Sequence, residues 1–449
     1  MRVFDRSTYQ RIFTCGLVAA LLGCQAYAPL PLDTAPHLLA DPIALIHVGP
    51  ADFDPSGPLD ADTFVTLAVE NNPDLRAGRA DHDVAQAQLL QAGLLPNPQI
   101  GGNYGSLLGG PGTIDSWGAS FSQDIKSLIT LSAQRSTAEQ EARKVDADLL
   151  WQEWQVAGKA RLLFIDTVEQ DRLHGLLLDA RSLVADRAEH TRHALAAGDL
   201  DLTAAAPDFT AAADLDKQLA DLDRQRLSRR HEIDALLGLA PDVELRFVDH
   251  VALPPLDETA LPDLGKRRPD LVALQLGYRS QEEKLRGAIL AQFPALSFGG
   301  AYGSDTSHIQ TFGPQITLEL PIFNRNQGNI AIERATRQKL HDEYANRLDA
   351  ARGEVKAMLR EQALLLDQKA QLETALGEAS RIAAQADAAF RTGAIDERSY
   401  VELQMTRLGR QQELVALEQQ ALEQRAAMAT LIGAGMPAIT LPEPAADAE

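Results

Sequence analysis

Between Phe312 and Leu320 the chain reads F-G-P-Q-I-T-L-E-L. Phe312, Ile316, Leu318 and Leu320 fall on one face, and Gln315, Thr317 and Glu319 on the other. That is the two-residue period of a strand. Leu296, Phe298 and Tyr302 alternate in the same way with Ser297, Gly299, Ala301 and Gly303. Earlier in the chain, Trp117, Ala119 and Phe121 alternate with Ser116, Gly118 and Ser120. These runs predict two β-hairpins, over about 98–124 and 294–321. Pro96 and Pro98 stop the Ala/Gln/Leu-rich segment before the first hairpin, because proline lacks an N–H and pushes the preceding residue out of the α region. Strands of about ten residues, apolar on one side and small or polar on the other, match those of a membrane barrel. A half-buried hairpin of a soluble sheet is the alternative. Pro314 is awkward for a central strand.

The other dominant period is helical. Residues 131–197 and 330–391 contain no proline, which predicts two helices of about 100 Å at ~1.5 Å per residue. In the second, Tyr344, Leu348, Ala351, Val355, Met358, Leu365, Leu372 and Leu376 form a coiled-coil-like stripe. Gly198 and Gly393 then break the pattern, as glycine does where a helix ends in the left-handed conformation. Each is expected to be a hairpin tip. Pro207 predicts a kink soon after the first tip.

The pattern occurs twice. Asn72-Pro73-Asp74-Leu75 is echoed by Arg268-Pro269-Asp270-Leu271, Pro98 by Pro294, and Gly198 by Gly393. Leu236-Leu237-Gly238 is echoed by Leu431-Ile432-Gly433. The offset is constant at about 196 positions, the mark of an internal repeat. The expected organisation is a signal segment 1–23, a linker 24–58, repeat 1 over 59–240 and a linker 241–264. Repeat 2 covers 265–437, and a tail covers 438–449. Each repeat opens with a helix of about 35 residues, expected to end near Pro96 in the first and Phe293 in the second. The hairpin, the long helix and a return helix follow. One return helix and the next opening helix together match one long helix, so they are expected to stack end to end beside it. The fold class is therefore mainly α with membrane β-strands. Four strands cannot close a barrel, and open sheet edges are not tolerated in lipid. Several copies must pool their strands.

Composition narrows the function. The net charge of −21 over 449 residues argues against nucleic acid, whose phosphates it would repel. Arg2, Arg6 and Arg11 precede an apolar run from Ile12 to Leu22 that is too short to span a bilayer. Leu21-Leu22-Gly23-Cys24 resembles a bacterial lipobox, which makes Cys24 a lipidation site. Cleavage after Ala28 of Ala26-Tyr27-Ala28 is the competing reading. The two cysteines, Cys15 and Cys24, leave no disulfide or cysteine-ligated metal in the mature chain. His190 and His193 alone make a weak metal pair. His231-Glu232 lacks the second histidine of a zinc protease, and no phosphate-binding glycine loop or nucleophile elbow is present. Trp151 and Trp154 read as packing residues. No catalytic residue, cofactor or metal is expected, and the chain is not read as an enzyme.

With Asn72-Pro73-Asp74-Leu75, Leu95-Pro96-Asn97-Pro98, Arg268-Pro269-Asp270-Leu271 and Leu320-Pro321-Ile322-Phe323-Asn324-Arg325-Asn326-Gln327-Gly328, the chain resembles the TolC-type outer-membrane factors. The last stretch is most similar to the heavy-metal efflux subgroup. The resemblance implies a homotrimer, with a 12-stranded barrel in outer-membrane lipid over a periplasmic helical tunnel. Its partners would be a periplasmic adaptor and an inner-membrane pump. It places the adaptor-docking tips at Ala197, Gly198, Asp199 and Arg391, Thr392, Gly393. It places the gate at Ser399 and Glu402; only Glu402 is acidic, so Asp396 or Glu397 enters as a substitute. The function implied is a passive exit duct for metal ions or drugs. A periplasmic coiled-coil adaptor or scaffold without a barrel is the alternative.

Overall fold

The computed structural model describes residues 27–35, 37–46, 57–241, 243–253 and 263–441. The signal segment, Cys24 and residues 442–449 of the tail lie outside the described residues, as do parts of both linkers. Of the first compact unit, 1–38, the described part carries no helix or strand, and His37 Nε2 meets Asp33 at 3.2 Å. The second unit, 39–449, holds all the helices and strands below.

Its elements come in two rounds of the same order. The first has α1 (Ala61–Asn71), α2 (Pro73–Ala92), β2 (Gln99–Gly105), β3 (Ser116–Asp124), α3 (Ile125–Ala197) and α4 (Leu202–Leu237). The second has α5 (Leu264–Arg267), α6 (Pro269–Leu290), β5 (Ala295–Ser304), β6 (Gln310–Glu319), α7 (Gln327–Arg391) and α8 (Glu397–Ile432). Two short strands, β1 (Pro58–Leu59) and β4 (Arg246–Phe247), pair in parallel. Pro58, Arg246 and Phe247 fall in stretches expected to be linkers, and with Leu59 at the start of repeat 1 they form one small sheet. Phe247 carries β4 into the core, edge-on to Phe64 at 5.2 Å and to Phe164 at 5.7 Å. Leu67, Leu236 and Leu237 complete that cluster.

The opening helix of each round is shorter than its apolar pattern suggests, and it is broken. Pro73 holds Asn72 out of the helical region, at φ −54 and ψ 124, and the Asn72 side chain accepts the Leu75 N–H to start α2. Arg268 before Pro269 is likewise extended, and α6 stops at Leu290. Pro207, by contrast, lies inside an unbroken α4. As the sixth residue of α4 it removes one intrahelical N–H bond, to the Thr203 carbonyl, without ending the helix.

The long helices start a few residues before the expected spans 131–197 and 330–391 and end with them. α3 has 73 residues and α7 has 65, about 110 and 98 Å at ~1.5 Å per residue. α4, α6 and α8 pack against α3, and α6 and α8 also pack against α7. Near the tips, Leu177, Val184, Leu215 and Leu219 meet Val401 and Leu408. At the other end of α8, Met428 and Ile432 meet Leu271 and Val355. The tail joins in as far as it is described. The Ile439 N–H donates to the Lys266 carbonyl, and Ile439 and Leu441 pack on Val272 and Leu276.

Candidate channel: the sheet and the tips

β2, β3, β5 and β6 form one antiparallel sheet in that order. The register fixes which side chains share a face. Ile100 lies opposite Phe121, Tyr104 opposite Trp117, Ala119 opposite Tyr302, Phe298 opposite Ile316, and Tyr302 opposite Phe312. One face is therefore apolar and aromatic across all four strands. Ile100 is 84 % exposed and Phe312 81 % exposed, so no described residue covers them. Trp117 and Tyr302 pack edge to face at 5.3 Å. The opposite face carries Gln99, Asn103, Ser120, Ser122, Ser297, Gln315, Thr317 and Glu319, with glycines between them. Gly299 is required by close approach: a Cβ there would lie 1.9 Å from the Phe121 carbonyl oxygen. β2 and β6 are the outer strands. Pro314 sits on β6, where a missing N–H is tolerated.

Among the described residues no helix is long and apolar enough to cross a membrane. The sheet, with one greasy face, is the part suited to lipid.

The tips lie at the other end of the long helices. Gly198 takes φ +82, and the Asp199 N–H donates to the Ala194 carbonyl. Asp201 then caps α4 by accepting the Ala204 N–H at 2.8 Å. The second tip repeats the device. Gly393 takes φ +72, the Ala394 N–H donates to the Ala389 carbonyl, and Asp396 accepts the Ser399 N–H at 2.7 Å. Gly-Asp-Leu-Asp and Gly-Ala-Ile-Asp are thus the same turn, and the capping aspartates are what the sequence reading of the tips left out. Ala197 closes α3. Arg391 closes α7, with Asp387 at 2.7 Å, and Thr392 follows as its cap.

The gate candidates divide. The Asp396 carboxylate is held below its usual range by the Ser399 backbone and side-chain hydrogen bonds. Glu397 accepts from His190 Nδ1 at 2.8 Å. Glu402 stands exposed on α8. His190 is thus a hydrogen-bond partner across the repeats. His193 sits 3.0 Å from Glu189, and no cluster fit to hold a metal occurs among the described residues. Trp154 donates its indole N–H to the Thr430 carbonyl, and Trp151 lies under Arg268.

A charged knot just behind the tips was not legible from spacing. Asp208 is 7 % exposed and accepts two hydrogen bonds from Arg187, at 2.8 and 2.9 Å, and one from Thr191 at 2.7 Å. Arg398 of α8 reaches in, donating to the Ala204 carbonyl at 2.9 Å with Asp208 at 3.8 Å. Burial works against ionisation of Asp208, but Arg187 and Thr191 outweigh it and hold its carboxyl below the usual range. The knot ties the start of α8 to the first helical hairpin.

The chain thus presents an amphipathic sheet with two open edges on helices about 100 Å long. Residues 260–434 match the family model described as outer membrane efflux protein. The second repeat is thus similar to that family over its described length. Solved structures share the fold over most of the chain. CusC, described as undergoing conformational changes with transmembrane channel formation, aligns at TM-score 0.68 and 17 % identity, covering 92 % of this chain and 100 % of its own. The outer membrane protein VceC of Vibrio cholerae aligns at 0.68 and 17 %, covering 83 % and 96 %. The CmeC outer membrane channel of Campylobacter jejuni aligns at 0.68 and 15 %, covering 92 % and 95 %. No curated relative matches.

Proposed function

We propose that three copies of this chain form the outer-membrane exit duct of a tripartite efflux system, passing cargo outward without bond chemistry. The observation that carries this is the four-stranded sheet: an exposed apolar face, a small polar face, and outer strands β2 and β6 with one partner each. Three such sheets give twelve antiparallel strands, an even number that closes without breaking the alternation. α7 supports the same reading. Of its 65 residues only Ala351, Val355, Ala383 and Ala386 are buried, while Leu364 and Leu366 stay more than half exposed. A second copy would cover them.

The signal segment and a lipid on Cys24 would deliver and anchor the chain at the outer membrane, with the helices in the periplasm. The turns at Gly198 and Gly393 are the surfaces offered to a periplasmic adaptor and, through it, an inner-membrane pump. Opening requires α8 to move away from α3 and α4, so the Asp208 knot and the His190–Glu397 pair are the contacts to break. Glu402, with Asp396 and Glu397, supplies negative charge at the constriction, which favours cations. The Leu320–Gly328 stretch favours heavy-metal ions over drugs as cargo.

The test is extraction and reconstitution. The full chain should need detergent, run as a heat-modifiable trimer, and conduct ions in a planar bilayer. A water-soluble single chain that leaves the bilayer silent would overturn the proposal.

A further inference from the structure

α3 and α8 come from different repeats and meet along a seam. About 48 Å from the first tip, at ~1.5 Å per residue, that seam holds carboxyl groups where its neighbours hold alanine and leucine. Asp166 is 8 % exposed and Glu169 2 % exposed. Glu423 of α8 faces Asp166. Gln419, one turn before it, donates its amide N–H groups to Asp166 Oδ1 at 3.0 Å and to Glu423 Oε1 at 2.6 Å.

Positive charge around this group is unevenly spread. Arg172 serves Glu169 at 2.7 Å and Glu418 at 3.1 Å, and Lys369 of α7 reaches Glu418 at 2.9 Å and Glu373 at 3.7 Å. Among the described residues, the guanidinium recorded against Asp166 and Glu423 is that of Arg229 of α4. It sits 3.0 Å from Asp166 Oδ2 and is shared with Glu232. Asp249 and His250 line the small polar cavity beside Glu169. Two carboxylates in contact, half-buried, with a fraction of one cation, do not both stay ionised.

We propose that Asp166 and Glu423 hold one proton between them and so clamp the two repeats together, making the α3–α8 seam a proton-sensitive joint. The clamp stands on this geometry alone; only its consequence for opening rests on the duct reading. Burial, and then the hydrogen bond and charge of Asp166, push the Glu423 carboxyl up to about 7, against Gln419 and Arg229. Its value is raised on folding. The clamp is therefore complete below the unfolded value of 4.5 and is lost as pH climbs through about 7. Once both groups are ionised they repel across the seam. α8, which starts at the second tip, is then freer to leave α3.

Hydrogen exchange on the full-length assembly tests this directly. Wild type and Glu423→Gln are compared at matched pH from 5.5 to 8.5, so that the chemical exchange rate cancels in their ratio. Glutamine keeps a donor toward Asp166 at every pH. Peptides covering 160–172 and 416–426 should exchange alike in both proteins at the acid end. By the alkaline end they should exchange more than tenfold faster in wild type, since each unit between the acid end and about 7 is a factor of ten and the window crosses more than one. A ratio that does not change with pH overturns the proposal. Asp166→Asn should also flatten the pH response and serves if Glu423→Gln fails to assemble. Glu418→Gln, in the neighbouring ion pairs, should leave the response intact, and its loss there would also overturn the assignment. Channel recordings are read separately: silence in every protein would sink the duct and leave the exchange result standing.

Discussion

Asp208 shows how much one residue sets near the tip. It follows the helix-interior proline of α4, and its carboxylate joins Arg187 and Thr191 of α3 and lies within reach of Arg398 of α8. Asp208→Asn keeps the shape and removes the charge that Arg187, itself only 11 % exposed, was paired with. Losing one partner of a buried pair costs about 3–5 kcal/mol; at this half-open edge about 2 kcal/mol is expected, visible as a lower melting temperature. Because the folded carboxyl is held below its unfolded value, its contribution is present above about pH 4 and lost as pH falls through the folded value. The variant should therefore melt with a shallower dependence on acid than wild type. It should also open more readily in single-channel recordings. A variant with wild-type melting, acid dependence and opening would remove Asp208 from both the stability and the gate arguments.

At the scale of elements, the two β-hairpins depend on backbone approach as much as on alternation. Gly299 lies where β5 presses against β3, and a Cβ would run into the Phe121 carbonyl; Gly300, one residue on, has ordinary contacts at 3.7 Å and beyond. Gly299→Val should abolish assembly in a heat-modifiability assay, and Gly300→Ala should leave it unchanged. Equal behaviour of the two would show that the strand pairing is not fixed by this approach. The alternation of Phe312, Ile316 and Leu318 was legible in the sequence because a strand writes its faces at a period of two. The tip turns were legible because glycine at positive φ has few substitutes. Other features were hidden for physical reasons. The breaks at Asn72 and Arg268 sit inside apolar patterns that read continuously as helix. The β1–β4 pair is two residues wide, below what any period can signal. Asp208 and Arg398, like Asp166 and Glu423, meet across helices far apart in sequence, and no spacing records that.

For the whole molecule, closure is the decisive property. β2 and β6 lie at opposite ends of the four-strand order, so a single protomer cannot bring them together while the sheet holds. In a ring, β6 of one copy must run antiparallel to β2 of the next. Tyr104 lies near the end of β2 and Phe312 near the start of β6, both on the apolar face and at the same end of the sheet, which makes them the pair to place across the joint. The native cysteines, Cys15 and Cys24, lie in or beside the signal segment and do not interfere with a cysteine pair placed here. Tyr104→Cys combined with Phe312→Cys should therefore oxidise to a covalent trimer on a denaturing gel, because each copy bridges to the next until the ring closes. Either substitution alone should leave monomers. Shifting the second cysteine to the opposite face, at Thr311, should lower the yield several-fold, since adjacent residues of a strand point to opposite sides. A monomeric product that carries the bridge within one chain would mean that the sheet has curled on itself, and the argument for pooled strands would fail.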